Sequence, residues 1–350
     1  NQSAVFYHIY PLGALDAPDR VSGRTEPVAR IRELMGWIDH IKGMGFTAVY
    51  LGPVFRSATH GYDLESYEEL DPRLGSNEDL KEVVDAFHDA GIRVVFDAVF
   101  NHSGRNFFAF QDLRGNRDSS PYRNWYHGLR FDCDNALGDG FCYDTWAGIL
   151  DLPKYNLQNR ELRSYLIEQA RSWFRYYGID GLRLDAASDM DRGFLAELAD
   201  ACRQERNDAW IMGEVVHGDY REWLSEGRLD SVTNYEAYKG LYSSFNDGNM
   251  HEIAYSLQRC FAEGGVYEGE LLYSFADNHD VSRVASVLND RLDLFPLYGL
   301  LYTMPGIPSV YYGSEYGMEG ARTEHSDDQL RPWFDPRNPE STVTDPDWSA

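Results

Sequence analysis

Four short stretches of this chain combine carboxylates, imidazoles and a guanidinium in a way that an ordinary core would not select. In Gly181-Leu182-Arg183-Leu184-Asp185-Ala186-Ala187-Ser188-Asp189 an apolar run ends in acids. Side chains on a strand alternate faces, so Arg183 and Asp185 point the same way, and a cation two residues from a carboxylate can hold it ionised and aimed. A nucleophile needs that state. The other three stretches are Asp97-Ala98-Val99-Phe100-Asn101-His102, Gly213-Glu214 and Asp277-Asn278-His279-Asp280. Singly, each has a structural explanation as an ion pair, a helix cap, a solvated loop or a satisfied histidine. Together they point to one reaction centre.

Carboxylates and histidines without cysteine suit either metal-assisted hydrolysis or glycosyl transfer through a carboxylate pair. Metal sites in barrel hydrolases draw on closely spaced histidines such as HxH, and this sequence has no such pair. Glycoside chemistry fits better: one carboxylate is ionised to attack or support an oxocarbenium-like centre, and another is protonated to donate to the leaving oxygen. Asp185, beside Arg183, is the group most easily kept ionised. Glu214 follows the apolar run Ala209-Trp210-Ile211-Met212-Gly213, where desolvation raises its pKa and suits it to be the acid. Asp280 would stabilise positive charge developing on the sugar, and His102 and His279 can donate hydrogen bonds to hydroxyls.

These residues need a scaffold that brings distant strand ends together. Hydrophobic periodicity predicts strands over 5–10, 46–51, 92–100, 180–187, 209–216, 231–235, 271–276 and 308–312, alternating with helices over 28–44, 77–90, 162–177, 194–205, 220–226, 253–262 and 294–303. Such alternation implies a parallel sheet, and about eight units make the α/β class (β/α)8 TIM barrel the leading fold. The rhythm breaks over 103–160, an inserted subdomain after the third strand that should carry short strands or turns of its own. Residues 1–102 and 161–350 then form the two parts of the catalytic barrel. After Tyr312 no periodic segment could serve as a closing helix, so part of the barrel is expected to lie outside this chain.

The formal charge of −25 disfavours nucleic acid and anionic membrane surfaces as partners and leaves neutral ligands open. No apolar run is long enough to cross a bilayer. The four cysteines are too scattered for a disulfide framework; Cys202 and Cys260 fall in helical patterns, and Cys133 and Cys142 bracket a turn-rich loop where they could pair in an oxidising compartment. Few signals bear on location, and the cytoplasm is favoured over secretion.

In this order, Asp97 to His102, Gly181 to Asp185, Gly213-Glu214 and Phe275 to Asp280 resemble the four signature regions of the α-amylase family of glycoside hydrolases. His60-Gly61-Tyr62-Asp63, Leu152-Pro153-Lys154-Tyr155-Asn156 and Gly306-Ile307-Pro308 through Tyr312-Gly313 extend the likeness over nearly the whole chain. The resemblance implies Asp185 as nucleophile, Glu214 as general acid and base, and Asp280 as transition-state stabiliser. It also implies contacts from Arg183, His102 and His279 to the reacting sugar or the nucleophile, Tyr62 stacked beneath that sugar, and Asp97 behind them. The implied reaction is retaining cleavage of α-glucosidic bonds, mainly α-1,4, in maltooligosaccharides, cyclodextrins or starch-like glucans.

Leu152-Pro153-Lys154-Tyr155-Asn156 is similar to the form seen in cyclomaltodextrinase and neopullulanase relatives. The Lys-His that many starch-cleaving members carry after the nucleophile is replaced here by Ser188 and Asp189, which counts against calcium. No cofactor is required, calcium stays open as a possibility, and no metal ligand is assigned. The acidic loop with Asp132, Asp134, Asn135 and Asp139 offers oxygen ligands but lacks EF-hand spacing, so a solvated loop is expected. The sequon Asn101-His102-Ser103 falls inside the expected site and is read as fortuitous. The family also implies a C-terminal β-sandwich that nothing here can supply. A transglycosylase or glucan isomerase would use the same residues, and a non-catalytic sugar- or protein-binding relative would be expected to lack part of the carboxylate set.

Overall fold

Short runs of β-branched, aromatic and aliphatic residues form eight parallel strands, as expected where both faces are buried. They are β1 (Phe6–Ile9), β2 (Ala48–Leu51), β3 (Arg93–Ala98), β4 (Gly181–Leu184), β5 (Trp210–Gly213), β6 (Ser231–Val232), β7 (Tyr273–Phe275) and β8 (Ile307–Tyr311). The structure, a computed structural model, describes residues 4–21, 26–324 and 326–341. The strands run in the order β6-β5-β4-β3-β2-β1-β8-β7. The ends of that row meet, because Thr233 pairs in parallel with Tyr273 and the Asn234 amide donates to the Tyr273 carbonyl at 2.8 Å. The fold is therefore a (β/α)8 barrel. Alternation splits its apolar residues: Phe6, Tyr50, Trp210 and Tyr273 pack in one cluster inside, while Tyr7, Val49, Phe96 and Leu182 pack outward with the helices.

The helices begin and end where side chains can satisfy their free backbone groups. Arg160–Tyr177 starts at Asn159, whose side chain accepts from Leu162 N, and stops at left-handed Gly178. Asn77–Asp89 opens with a reciprocal Ser76 and Asp79 capping box. The segment expected as one helix over 28–44 is a 3₁₀ helix, Arg30–Trp37, running into an α-helix, Ile38–Gly43. Over 220–226 the chain forms only a short π-helix, Glu222–Glu226.

Besides the four-residue α-helices Pro11–Ala14 and Val284–Val287, two longer ones had no sequence-based expectation. Phe108–Asn116, within the insert, buries only Ala109, Phe110 and Leu113. Tyr235–Asn246 is rich in Tyr, Ser and Gly, which favour helix weakly, and is nucleated by the Asn234 side chain accepting from Ala237 N. The rest of the insert is held by isolated antiparallel bridges such as Tyr126 with Tyr155, and by a disulfide between Cys133 and Cys142 with Cα atoms 5.9 Å apart. Cys202 and Cys260 are free and buried. After β8 the described residues form no helix longer than three residues. Among the described residues no helix is long and apolar enough to cross a membrane.

Candidate active site

The polar centre is built at the C-terminal ends of the strands. Asp97 on β3 lies opposite Arg183 on β4, and both side chains turn into the barrel. Asp185 stands one residue past β4 and extends the ladder, its amide donating to Ala98 O at 3.0 Å. Ala186 then takes a left-handed backbone, φ 48°, which is uncommon for a residue with a side chain. Its N–H donates to Glu214 Oε2 at 2.9 Å. Glu214 is likewise one residue past β5, with its own amide bonded to Leu184 O at 2.9 Å. A strained turn after one carboxylate thus anchors the other.

Arg183 joins the group. Its Nη1 reaches Asp185 Oδ1 at 2.7 Å and Asp97 Oδ1 at 3.1 Å, and its Nη2 reaches Glu214 Oε2 at 3.1 Å. One guanidinium fork therefore engages both carboxylates of the expected pair, while its other partner, Asp97, also accepts the hydroxyls of Tyr50 at 2.5 Å and Tyr62 at 2.9 Å. Tyr62 follows Gly61, where a Cβ would stand 2.4 Å from Pro53 Cγ. That clearance lets the loop lay Tyr62 across the barrel mouth, its ring parallel to His279 at 5.5 Å. His279 Nε2 lies 2.5 Å from the Tyr62 hydroxyl and 3.1 Å from Asp280 Oδ2. Since Tyr62 donates to Asp97, these partners are satisfied by a neutral imidazole with its proton on Nε2.

Six of the seven residues singled out from the sequence, Tyr62, Arg183, Asp185, Glu214, His279 and Asp280, thus form one network with Asp97. The seventh, His102, is buried at its edge, beside Trp146 at 6.0 Å between ring centroids, with no partner on Nε2. Asn101 of the sequon is also buried.

Burial governs the titrations. It pushes Asp185 well above the usual carboxylate range; Arg183 opposes it, and the charge of Glu214 adds to it. Glu214 is also pushed up, first by burial, with Arg183 opposing and Asp280 adding. The Arg183 cation beside Asp185 is divided among three acids, so it favours the ionised form of Asp185 less than the sequence neighbour alone suggests. Burial lowers His102 to about 3 and His279 well below the ordinary value, so both imidazoles are neutral.

Two residues that sequence reasoning missed complete the site. Tyr50 occupies an inward position on β2, which strand alternation could have revealed. Arg331, far beyond β8, reaches Asp280 Oδ1 at 3.2 Å and donates from Nε to His279 O at 3.1 Å, with its guanidinium 4.8 Å from the Tyr10 ring centre. No periodicity marks Arg331, because it lies in an irregular segment.

The acidic loop of the insert does not fit calcium. Asp139 is gripped by Arg105 at 2.7 Å and Arg114 at 3.1 Å, and Asp134 accepts backbone amides from Asn135 and Gly140. Burial would raise Asp139, yet Arg105 and Asn135 hold it down at about 2. Among the described residues no group of three or more His, Cys, Asp or Glu is arranged to hold a metal ion.

The family model for the alpha amylase catalytic domain matches residues 31–343. A cyclomaltodextrinase of a Bacillus species is 33% identical over 343 residues, covering 91% of this chain and 60% of that protein. The intracellular maltogenic amylase of Bacillus subtilis is 29% identical, covering 91% of this chain and 56% of that protein. Among solved structures, the ligand-free cyclic α-maltosyl-(1→6)-maltose hydrolase of Arthrobacter globiformis superposes with a TM-score of 0.82 at 30% identity, covering 98% of this chain and 80% of that one. The chain spans about half to three-fifths of the length of the curated relatives it matches.

Proposed function

The chain belongs to the alpha-amylase family, and from that premise we propose that it is a retaining glycoside hydrolase. Its substrates are short or cyclic α-glucans, cleaved mainly at α-1,4 bonds. The observation that carries this reading is the single Arg183 fork holding Asp185 and Glu214 side by side. A double displacement needs two carboxylates about 5–5.5 Å apart, and a shared guanidinium supports such a pair by holding both acids on one cation.

In the first step Asp185 attacks the anomeric carbon and forms a glycosyl ester, while Glu214 gives its proton to the departing glycosidic oxygen. In the second, the Glu214 carboxylate takes a proton from water; the resulting oxygen nucleophile attacks the same carbon, the ester breaks, and the sugar leaves with its α configuration retained. Asp280, one-third exposed at the mouth, faces the positive charge that develops on the ring, and Tyr62 offers its apolar face beneath the sugar. Neutral glucans are compatible with a chain of charge −25, which would repel acidic substrates.

Trp146 brings the insert 103–160 beside His102 at the edge of the site. As to compartment, the cytoplasm favoured from the sequence has the intracellular relative behind it, and the Cys133–Cys142 disulfide stands against it, because cytosolic thiols are held reduced. The test is Asp185→Asn, which keeps shape and hydrogen bonding. It should fold and lose cleavage of maltooligosaccharides and cyclodextrins, while the unaltered enzyme releases the α anomer by NMR. Activity undiminished in the variant, or release of the β anomer, would end this reading.

A further inference from the structure

Next to the catalytic network lies an imidazole that the proposed reaction does not use. His8, on β1, has Tyr50 of β2 and Tyr311 of β8 as its neighbours in register, and it is 2% exposed. Its ring stacks on that of Tyr50, with centroids 4.2 Å apart and planes 22° from parallel. It stands nearly perpendicular to His279 at 5.2 Å, and Tyr311 lies at 4.7 Å. The Tyr50 ring is thus backed by a flat, buried neighbour across the strand pair, a contact that favours one ring orientation.

His8 Nε2 is buried without a hydrogen-bond partner. Burial lowers the pKa of the ring well below its ordinary value, with His279, Arg183 and Arg283 adding to the effect, so His8 is neutral. It acts on its neighbours through ring contact, not through that nitrogen or a charge. Tyr50 passes the constraint on: its hydroxyl donates to Asp97 Oδ2 at 2.5 Å, and the Arg183 guanidinium carbon lies 5.9 Å from its ring centre. The other phenol on Asp97, that of Tyr62, is shared with His279. Asp97 deprived of the Tyr50 donor would take more of Arg183, the guanidinium that also holds Asp185 and Glu214.

We propose that His8 is a positioning residue for the reaction: its ring holds Tyr50 against Asp97, so that Asp97 is satisfied from β2 and leaves Arg183 to Asp185 and Glu214. His8 itself touches neither the sugar nor the reacting carboxylates. The kinetic part of this inference rests on the reading of Asp185 and Glu214 as the reacting pair. The coupling of His8 to Tyr50 does not, and it is read separately in stability.

The variants are made in the full product of the reading frame. His8→Leu, which keeps bulk without a flat face, should lower kcat on maltooligosaccharides at least about 10-fold with KM within about 2-fold, because the reacting groups are displaced while the sugar contacts remain. His8→Phe restores the ring and should regain at least about one-third of kcat. Tyr50→Phe, which keeps the ring and removes only the hydroxyl, should reproduce the loss, and adding His8→Leu to it should cost no more than about 3-fold further. The Tm losses of His8→Leu and Tyr50→Phe should likewise fall short of additive in the double variant, whether or not sugar is cleaved. Full kcat in Tyr50→Phe overturns the proposal, as does a His8→Phe as slow as His8→Leu. Strictly additive losses in Tm overturn it even if no glucan proves to be a substrate.

Discussion

Replacing Arg183 by Met removes the one cation engaging Asp97, Asp185 and Glu214, and its cost should depend on pH in a way that separates charge from packing. Breaking a buried ion pair from one side costs about 3–5 kcal/mol. For a chain of this size that corresponds to a Tm loss of roughly 4–7 °C near neutral pH. All three carboxylates already titrate above their ordinary range, with burial as the largest cause and Arg183 the first opposing influence. A carboxyl with a raised folded pKa binds its proton more tightly in the folded state, so its contribution to stability is greatest at low pH and is lost as pH rises through the folded value. Without Arg183 those values rise further, and the loss becomes steeper and extends to higher pH. At pH 4 the acids hold protons and need no counter-charge, so the Tm gap between the two proteins should shrink or reverse; by pH 7–8 it should be at its widest. Thermal melts followed by circular dichroism at half-unit pH steps test this, with Arg183→Lys as a companion that keeps the charge but not the fork. A Tm deficit that is the same from pH 4 to 8 would refute the reasoning, because it would show that Arg183 acts by filling space.

Glu214→Gln should reduce kcat by about 10²–10⁴ and abolish the alkaline limb of the pH–rate profile, since an acid must be protonated to act and activity falls as pH rises through its raised pKa; an unchanged alkaline limb would assign that proton elsewhere. Tyr62→Phe keeps the ring but removes a hydroxyl shared by Asp97 and His279, and should cost about 1–3 kcal/mol in urea unfolding. A loss below a few tenths would mean that those partners are satisfied without it. Reducing the Cys133–Cys142 disulfide, which spans a sequence separation of 9, should lower the stability of the insert by about 2–3 kcal/mol and speed its proteolytic nicking. Cleavage at the same rate with and without reductant would show that the loop is held by its Arg105 and Arg114 pairs alone.

The tips of β3, β4 and β5 were legible because period-two alternation and strand–helix order suffice to place Asp97, Arg183, Asp185 and Glu214 on one rim. The helical spacing that placed Arg160–Tyr177 is carried by one buried face with Leu162, Leu166 and Trp173, so its boundaries could be read closely. Tyr235–Asn246 escaped because its stability comes from an Asn cap and tertiary packing of residues with weak intrinsic preference. Arg331 escaped for a different reason: its position depends on the path of an irregular segment back over the barrel mouth, and that path leaves no period in the sequence. The state of Asp185 was misjudged because a neighbour two residues away is visible in the sequence, whereas the two competing acids come from other strands.

That competition gives the carboxylates in contact with one guanidinium different surroundings. Asp97 has a share of Arg183 and two phenolic donors, so its charge is dispersed by hydrogen bonds that favour the ionised form. Asp185 has the shortest contact with the guanidinium, at 2.7 Å, while the charges of Glu214 and Asp97 press on it. Glu214 has a 3.1 Å contact with the cation and one amide from Ala186, and it also feels Asp280 across the mouth. Burial and the neighbouring acids push the Asp185 and Glu214 carboxyls up, Asp185 well above its ordinary range, with Arg183 opposing in each case. Asp280 adds to the upward push on Glu214, and Arg331 pairs with Asp280 from outside the barrel strands. The three acids thus have unequal claims on one cation, and the segment beyond β8 reaches the same site through Arg331.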